Sequence, residues 1–353
     1  MSSEPISFSA ESYFATQLPP PTLEHDIAGV RSFISRQQAS GRNVVLVTSG
    51  GTTVPLELNV VRFLDNFSAG TRGATSAEYF LKSGYAVIFM HRQFSLQPFS
   101  RHYSHSTNPF LDFLEIDGIS STSSPPSESP PSESPPSESP PSSDPQITVT
   151  PSKRTHLLQV LTAYKQVHAS ETLHTLTFVT VNDYLWLLRA VSQELSVLNR
   201  KAMYYLAAAV SDFFLPRQKM SEHKIQSGKG SLHIEMDQVP KILKPMVDEW
   251  TRNGYIVSFK LETDPALLIP KARTSLERYG HQVVIGNDLN RRKFEVVFVE
   301  RKTKTKNASG QDEFEENWLK IDLSKDKEKE IEEDIVRELV KRHEDWVRGG
   351  VLN

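Results

Sequence analysis

Asn43-Val-Val-Leu-Val-Thr48 is a continuous apolar run, and the turn Ser49-Gly-Gly-Thr-Thr53 ends it sharply. A strand that is apolar throughout is typical of a parallel sheet buried on both faces. Apolar residues recur at helical spacing over residues 23–38 before this run and over about 68–83 after it. The stretch therefore predicts a buried parallel strand between two helices.

The same alternation continues along the chain. Further strands are predicted at 85–90, 175–181, 203–209, 255–260, 281–286 and 295–300. Further helices are predicted at 153–169, 183–198, 240–252, 265–279 and about 325–348. Strands that alternate with helices form βαβ units with right-handed crossovers. The predicted fold class is α/β, with a mostly parallel sheet.

Two segments lack the apolar patterns of packed structure. Residues 1–22 are rich in serine and proline and are predicted to be a disordered N-terminal arm. Residues 118–151 are a low-complexity linker that repeats Pro-Pro-Ser-Glu-Ser between residues 125 and 142. Such a sequence has no apolar surface to offset its ordering entropy, so we expect a disordered insertion within a single domain of residues 23–353. A proline-rich ligand for an SH3 or WW domain is the less favoured alternative.

Composition excludes several classes of function. The 353 residues carry 40 Lys and Arg against 43 Asp and Glu, a net charge of −3, which argues against nucleic-acid binding. The absence of cysteine excludes disulfides, Cys-ligated zinc and a cysteine nucleophile. The N-terminus has no secretory signal, and no apolar run approaches the ~20 residues of a membrane-spanning helix. We expect a soluble cytoplasmic protein, with the nucleus as a second location.

Ligands of open parallel sheets bind beyond the carboxyl ends of the strands, so the residues there are the candidate site. Gly50 lies in the turn after the first predicted strand. Asn66 and Ser68 precede the next helix, and Gly70 and Gly73 lie in its predicted first turn. Glycines at a helix start let a phosphate approach the backbone N–H groups. The alternative is a tight contact between helix and strand, with Ser68 as the N-cap.

Three later strand ends add further candidates. Ala208 and Ala209 would form a thin wall against which a ligand can lie flat, with Asp212 at the end of the strand. The alternative is a strand of small residues packed under a helix, with Asp212 as a cap. Phe259 is suited to stacking on a base, and Asn287 to reading a base edge or a ribose.

The polar segment 220–231 is predicted to be a lid whose lysines, Lys224 and Lys229, can reach phosphates as point charges. An exposed loop lysine is more often only solvated. The chain has no GxGxxG turn, P-loop, Tyr-x-x-x-Lys pair, GxSxG elbow or HExxH motif. An NAD(P)-dependent oxidoreductase is therefore disfavoured, although it would use the same strand ends.

Five motifs stand in order along residues 30–348, outside the insertion. They are Ser49-Gly-Gly-Thr-Thr-Val-Pro-Leu-Glu57, Val61-Arg-Phe-Leu-Asp-Asn-Phe-Ser-Ala-Gly70, Leu206-Ala-Ala-Ala-Val-Ser-Asp-Phe213, Glu222-His-Lys-Ile-Gln226 and Ser258-Phe-Lys-Leu-Glu-Thr-Asp264. Together they resemble the phosphopantothenate–cysteine ligases of the eukaryotic type. The resemblance implies a Rossmann-like, doubly wound sheet, a homodimer and a ligase of coenzyme A biosynthesis.

The resemblance also implies the reaction. The carboxylate of 4′-phosphopantothenate attacks the α-phosphorus of a nucleoside triphosphate, and the amine of L-cysteine then displaces the nucleotide from the acyl-nucleotidylate. ATP is the favoured nucleotide, CTP is the alternative, and Mg²⁺ is the expected cation. We expect no flavin, because the N-terminal arm is too short for the decarboxylase fused to bacterial relatives. A non-catalytic scaffold protein is the remaining alternative.

Roles for individual residues follow from the same resemblance. The implied nucleotide contacts are Gly50, Ser68, Gly70, Gly73, Phe259 and Asn287. The implied substrate contacts are Asn66, Ala208, Ala209 and Asp212, together with Arg62 reaching across from the partner subunit. Asn66 would also hold and turn over the acyl-nucleotidylate, and Lys224 would serve its formation.

Overall fold

Strands and helices alternate along the computed structural model, which describes residues 9–103, 110–117, 146–226, 230–306, 312–325 and 327–349. The strands are β1 (Val44–Ser49), β2 (Thr53–Pro55), β3 (Phe63–Asp65), β4 (Ala86–Arg92), β5 (Leu114–Asp117), β6 (Gln146–Val149), β7 (Leu173–Phe178), β8 (Ala202–Leu206), β9 (Phe213–Phe214), β10 (Asp237–Gln238), β11 (Tyr255–Glu262), β12 (Val283–Asp288), β13 (Glu295–Lys306) and β14 (Asp312–Lys320). The helices are α1 (Ala10–Thr16), α2 (Leu23–Ala39), α3 (Thr71–Lys82), α4 (Pro151–Ala169), α5 (Val181–Leu195), α6 (Leu243–Pro245), α7 (Pro265–Tyr279) and α8 (Ile331–Gly349).

An eight-stranded sheet has the order β14-β13-β12-β11-β8-β1-β4-β7. The six strands from β12 to β7 pair in parallel, whereas β13 and β14 are antiparallel. From β1 the chain builds outward through β4 to β7, and then returns to the other side of β1 through β8, β11 and β12. The order therefore reverses between β1 and β8, which confirms the doubly wound α/β fold and places a ligand-binding crevice at that point.

The sheet is covered on both faces because alternate residues of each parallel strand point to opposite sides. Val44 and Leu46 of β1 join a buried cluster with α2 and α5. Val45 and Val47 join a second cluster with α3 and α8. Every residue of β1 is buried, as the apolar run predicts.

The N-terminal arm is ordered where the structure describes it, so the prediction of a disordered arm is wrong for residues 9–22. Helix α1 is capped by Ser9, whose Oγ accepts from the N–H of Ser12. Tyr13 is fully buried, and its hydroxyl donates to Oδ1 of Asn182 at 3.1 Å. Phe14 packs edge-on against Trp186. Two aromatic anchors thus order a segment whose composition is otherwise typical of a disordered chain; residues 1–8 lie outside the described residues.

The described residues within 99–166 form one compact unit, and those within 9–98 and 167–349 form another, which contains the large sheet. Within the first of these units, β5 pairs with β6 in an antiparallel ladder. The predicted linker 118–151 is therefore wrong at its C-terminal end, where backbone pairing orders residues 146–149. The repeats of residues 125–142 lie outside the described residues.

Other boundaries differ for local reasons. Helix α3 begins at Thr71 and not at 68, because Gly70 adopts a left-handed φ of +83° at its N-cap. Strand β8 ends at Leu206, three residues before the predicted end, where the alanines leave the sheet. Helix α8 begins at Ile331 and not near 325. Strand β14, the partner of β13, was not predicted. None of the helices in the described part of the chain is long and apolar enough to cross a bilayer.

Candidate active site

A cavity of about 790 Å³ opens at the carboxyl ends of β8, β11 and β12, next to the N-terminus of α3. It lies at the position that the reversal of strand order predicts. Of the twelve predicted site residues, the eight that line it are Asn66, Ser68, Gly70, Ala208, Ala209, Asp212, Phe259 and Asn287. The other four, Gly50, Gly73, Arg62 and Lys224, are not among the residues that line it.

Backbone hydrogen bonds hold the wall of the cavity together. The N–H of Ala209 donates to the carbonyl of Gly50 at 2.8 Å, and the N–H of Thr52 returns a bond to the carbonyl of Ala209 at 3.0 Å. Thr52 also accepts from the N–H of Asn66 at 3.0 Å. Gly51 makes this possible, because a Cβ there would lie 1.7 Å from the carbonyl oxygen of Asn66. The two glycines of the turn thus fix where Asn66 and Ala209 stand.

The N-terminus of α3 forms one end of the cavity. Its N-cap is Gly70, which has no side chain to satisfy the first N–H groups, and its first turn carries no acidic residue. Ser68 accepts a long hydrogen bond from the N–H of Gly70 at 3.4 Å, so the alternative that Ser68 is the N-cap is wrong. A helix start of this kind offers N–H groups and a positive dipole end to an anion.

Gly73 has a packing role. A Cβ on Gly73 would lie 2.4 Å from the side chain of Ser49 on β1. The close approach of α3 to the sheet therefore requires glycine at this position. For Gly73 this favours the alternative interpretation, a tight contact between helix and strand, over a direct contact with phosphate. Ser49 reinforces the contact, since its hydroxyl donates to the carbonyl of Gly70 at 3.0 Å.

An aromatic ring and an amide stand at the ends of β11 and β12. Phe259 lines the cavity and packs edge-on against Tyr205 at 4.9 Å between ring centres. Asn287 is only 7% exposed, and its Oδ1 has no hydrogen-bond partner among the described residues. A buried amide oxygen without a partner is costly, so Oδ1 of Asn287 is an acceptor available to a donor that enters the cavity, such as water or a ligand.

The cavity is cationic, which the sequence did not predict. Arg72, Lys241, Lys260 and Arg292 line it, whereas Asp212 is the only carboxylate among its described lining residues. Arg72 is bonded to Glu332 at 2.8 Å. Arg292 comes shortly after the end of β12. That position in the sequence would have allowed it to be predicted as a residue of the site. An excess of cations suits anionic ligands.

Arg62 and Lys224 belong to a different part of the chain surface. Nη1 of Arg62 donates to Oε1 of Glu57 at 2.9 Å and to the carbonyl of Ile225 at 3.1 Å. Lys224, the preceding residue, is exposed. Burial alone would raise the pKa of the Glu57 carboxyl, but three backbone N–H groups and the Arg62 guanidinium outweigh it and hold that pKa below its ordinary value.

A buried histidine supports the floor of the cavity. Ser258 lines the cavity, and its hydroxyl lies 2.8 Å from Nε2 of His281. Burial, with the charge of Arg301 as a smaller cause, lowers the pKa of His281 to about 4, so this imidazole is neutral near pH 7. Among the described residues, no group of three or more His, Asp or Glu side chains is arranged to hold a metal ion.

Comparison with known proteins agrees across sequence and structure. Residues 159–341 match the family model described as the DNA/pantothenate metabolism flavoprotein C-terminal domain. The chain is 40% identical to phosphopantothenate–cysteine ligase CAB2 of Saccharomyces cerevisiae over 97% of this chain and 88% of that protein. It is 43% identical to the phosphopantothenate–cysteine ligase of Homo sapiens, over 88% of this chain and 89% of that protein.

A solved structure of a Cab2 mutant in complex with phosphopantothenate-cysteine is similar throughout. It superposes with a TM-score of 0.79 at 40% identity, covering 96% of this chain and 99% of that one. A DNA/pantothenate metabolism flavoprotein from Streptococcus pneumoniae has the same fold at 17% identity, with a TM-score of 0.51.

Proposed function

Because the chain belongs to the phosphopantothenate–cysteine ligase family, which makes 4′-phosphopantothenoylcysteine in coenzyme A biosynthesis, we propose how its cavity performs that ligation. The reaction runs through an acyl-nucleotidylate, with ATP as the nucleotide. The observation that carries the proposal is the lining of the cavity, which combines a helix N-terminus and an excess of cations with Phe259 and the buried Oδ1 of Asn287, an acceptor without a partner among the described residues.

In the first step, a carboxylate oxygen of 4′-phosphopantothenate attacks the α-phosphorus of ATP. The bond from that phosphorus to the bridging oxygen of the β-phosphate breaks, and pyrophosphate leaves. Gly70 and Ser68 place the phosphates at the N-terminus of α3, while the turn around Gly50 and the packing of Gly73 hold the surrounding wall. Lys224 neutralises charge as pyrophosphate departs. Such a site acts by positioning and electrostatics, without a protein nucleophile.

In the second step, the amine of L-cysteine attacks the acyl carbon of the nucleotidylate. The C–N bond forms, the bond between that carbon and the nucleotide oxygen breaks, and AMP and one proton are released. Asn66 holds the acyl-nucleotidylate, since its amide can donate to the anionic mixed anhydride and its backbone is fixed by Thr52. Ala208, Ala209 and Asp212 contact the phosphopantothenate moiety.

Magnesium enters as part of the nucleotide substrate. Mg²⁺ in phosphoryl-transfer sites is commonly held by substrate phosphates together with one or two carboxylates. The lone carboxylate of Asp212 and the lack of a cluster of metal ligands among the described residues fit that arrangement. The ion would reduce the repulsion between the triphosphate and the attacking carboxylate.

Each site is shared between two copies of the chain, with Arg62 contributed by the partner subunit. Arg62 does not line the cavity of its own chain, which supports this assignment. Its neighbours are apolar and exposed: Val60 by 55%, Val61 by 56%, Phe63 by 50% and Leu64 by 44%. A contiguous group of exposed apolar side chains is typical of a protein interface.

A pyrophosphate-release assay tests the proposal. The protein is mixed with 4′-phosphopantothenate, Mg²⁺ and either ATP or CTP, with and without L-cysteine. We expect sustained release that requires cysteine and forms AMP, because the resemblance to the eukaryotic ligases favours ATP. Phe259 and Asn287 do not decide between the nucleotides, since adenine and cytosine can both stack on the ring and donate an amino group to the amide oxygen. A large preference for CTP would overturn the choice of nucleotide while keeping the mechanism. No release with either nucleotide would contradict the mechanism and favour the non-catalytic alternative.

A further inference from the structure

Glu57 is a buried carboxylate at the meeting point of two segments outside the cavity. The side chain is 0% exposed, and each of its two carboxylate oxygens accepts two hydrogen bonds, four in all. Oε2 accepts from the N–H groups of Val61 at 3.3 Å and Arg62 at 3.0 Å. Oε1 accepts from the N–H of Ile225 at 3.3 Å and from Nη1 of Arg62 at 2.9 Å. One carboxylate therefore joins residues 61–62 to Ile225, in the chain segment that contains Lys224.

The main chain next to Glu57 runs parallel to that segment, which we call the Lys224 segment (residues 221–226). Glu57 and Ser221 form a parallel bridge. The N–H of Leu58 donates to the carbonyl of Ser221 at 2.9 Å, and the N–H of Asn59 donates to the carbonyl of Glu222 at 3.1 Å. Three successive residues, 57–59, thus hold the first half of the segment by backbone contacts and the second half by the Glu57 side chain.

Ile225 is fixed at both of its backbone polar groups. Its N–H donates to Glu57, and its carbonyl accepts from Arg62 at 3.1 Å. The N–H belongs to the peptide plane that joins Lys224 to Ile225, and the carbonyl belongs to the plane that joins Ile225 to Gln226. The two hydrogen bonds therefore fix both planes on either side of Ile225, including the one that follows Lys224. A lysine on a loop has about 2 kcal/mol of rotamer entropy, so a fixed backbone is the available means of directing its ammonium.

We propose that Glu57 is a positioning residue for Lys224, acting through the backbone of Ile225 and through Arg62. This inference rests on the role proposed above for Lys224 in forming the acyl-nucleotidylate. It assigns a function to a residue that touches neither the cavity nor the reacting atoms.

A glutamine at position 57 cannot replace the carboxylate. Its amide has one oxygen to accept with, whereas its NH₂ group would face donors on the other side. At least two of the four donors would lose their partner in either orientation. The segment should then open more often while the strands beneath it remain folded.

Hydrogen–deuterium exchange measures the opening directly. We expect Glu57→Gln to speed exchange in the peptide 220–226 by roughly tenfold, the effect of losing a hydrogen bond to a charged group. Protection of β1 in the same sample shows that the fold is intact. Glu222→Gln is the matched control, because it makes the same change on an exposed side chain of the segment and should leave exchange unchanged. Unchanged exchange in Glu57→Gln would overturn the proposal.

A double-mutant cycle tests the link to Lys224. Single-turnover pyrophosphate release is measured for Glu57→Gln, Lys224→Gln and the double variant, and attack by cysteine is measured separately from preformed intermediate. We expect each single variant to slow release about tenfold or more and the double variant to be no slower than Lys224→Gln alone, with cysteine attack unaffected. If the fold-losses in release rate of the two single variants multiplied in the double variant, Glu57 would not act through Lys224. Equal slowing of pyrophosphate release and of cysteine attack in Glu57→Gln would likewise contradict a positioning role.

The two failures are distinguishable. If Lys224→Gln alone leaves pyrophosphate release unchanged, the proposed role of Lys224 is wrong, and the positioning of that residue has no catalytic consequence. If Lys224→Gln slows release and Glu57→Gln does not, the role of Lys224 stands and the inference about Glu57 is wrong.

Discussion

The hydroxyl of Tyr85 lies 2.7 Å from Nδ1 of His343, and Nε2 of the same ring lies 2.8 Å from the carbonyl of Arg200. A carbonyl can only accept, so the network assigns the Nε2–H tautomer, with Nδ1 accepting from the phenol. His343 is fully buried in α8. Burial lowers its pKa to about 4, against a smaller opposing effect of the Arg200 carbonyl.

This pair predicts a pH-dependent stability. The folded-state pKa of about 4 lies below the unfolded value of about 6.5, so the unfolded chain binds the proton more readily. The contribution of His343 is therefore present above about pH 6.5 and is lost as the pH falls from there to about 4, up to about 3 kcal/mol. Urea denaturation across that range measures it. His343→Gln should reduce the slope of stability against pH by about one proton; an unchanged slope would contradict the assignment.

Asn66→Asp should separate the two half-reactions. The new carboxylate would stand beside an anionic acyl-nucleotidylate, so its turnover should slow by ~10²- to 10³-fold, the range seen when a key donor is lost. Rapid quench with mass spectrometry should detect accumulated acyl-nucleotidylate and a single burst of pyrophosphate. Asn66→Ala removes the donor without adding charge and serves as the control. Equal loss of both half-reactions in Asn66→Asp would show that residue 66 has no special role in the second.

Mixing two inactive variants tests the shared site. In a mixed dimer of Arg62→Ala and Asn66→Ala chains, one of the two sites contains both native side chains. Random exchange makes half of the dimers mixed, so activity should recover to roughly a quarter of the native value. Each variant incubated with itself is the control. An inactive mixture, once mass spectrometry shows that subunits have exchanged, would place Arg62 and Asn66 in the same chain's site.

Variants of Tyr13 measure how much the packing of α1 against the rest of the protein contributes to stability. Tyr13→Ala should lower the free energy of unfolding by about 3–5 kcal/mol, because it removes a fully buried aromatic ring. Tyr13→Phe keeps the ring and loses only the hydrogen bond to Asn182, at a cost of about 1 kcal/mol. Urea denaturation compares the two. If neither variant changes stability, α1 does not pack as described.

The sequence predicts the parallel strands well because each is a short apolar run between helices, a pattern that burial on both faces requires. It predicts most of the cavity for a related reason: the residues at the carboxyl ends of such strands converge in space. It fails for α1, where two aromatic anchors are hidden in a Ser- and Pro-rich segment. It also fails for Arg292 and Glu57, whose roles depend on contacts between residues far apart in the chain.

The requirement for glycine at position 51 can be used to interpret the sequences of related proteins. No atom heavier than hydrogen fits on its Cα, since the carbonyl oxygen of Asn66 occupies the position of a Cβ. A chain that aligns with this one but has any side chain at the equivalent position must hold its Asn66 elsewhere. The residue aligned with Gly51 is therefore diagnostic. A related protein that has any other residue there is a candidate for an altered or lost activity, and this can be recognised from its sequence alone.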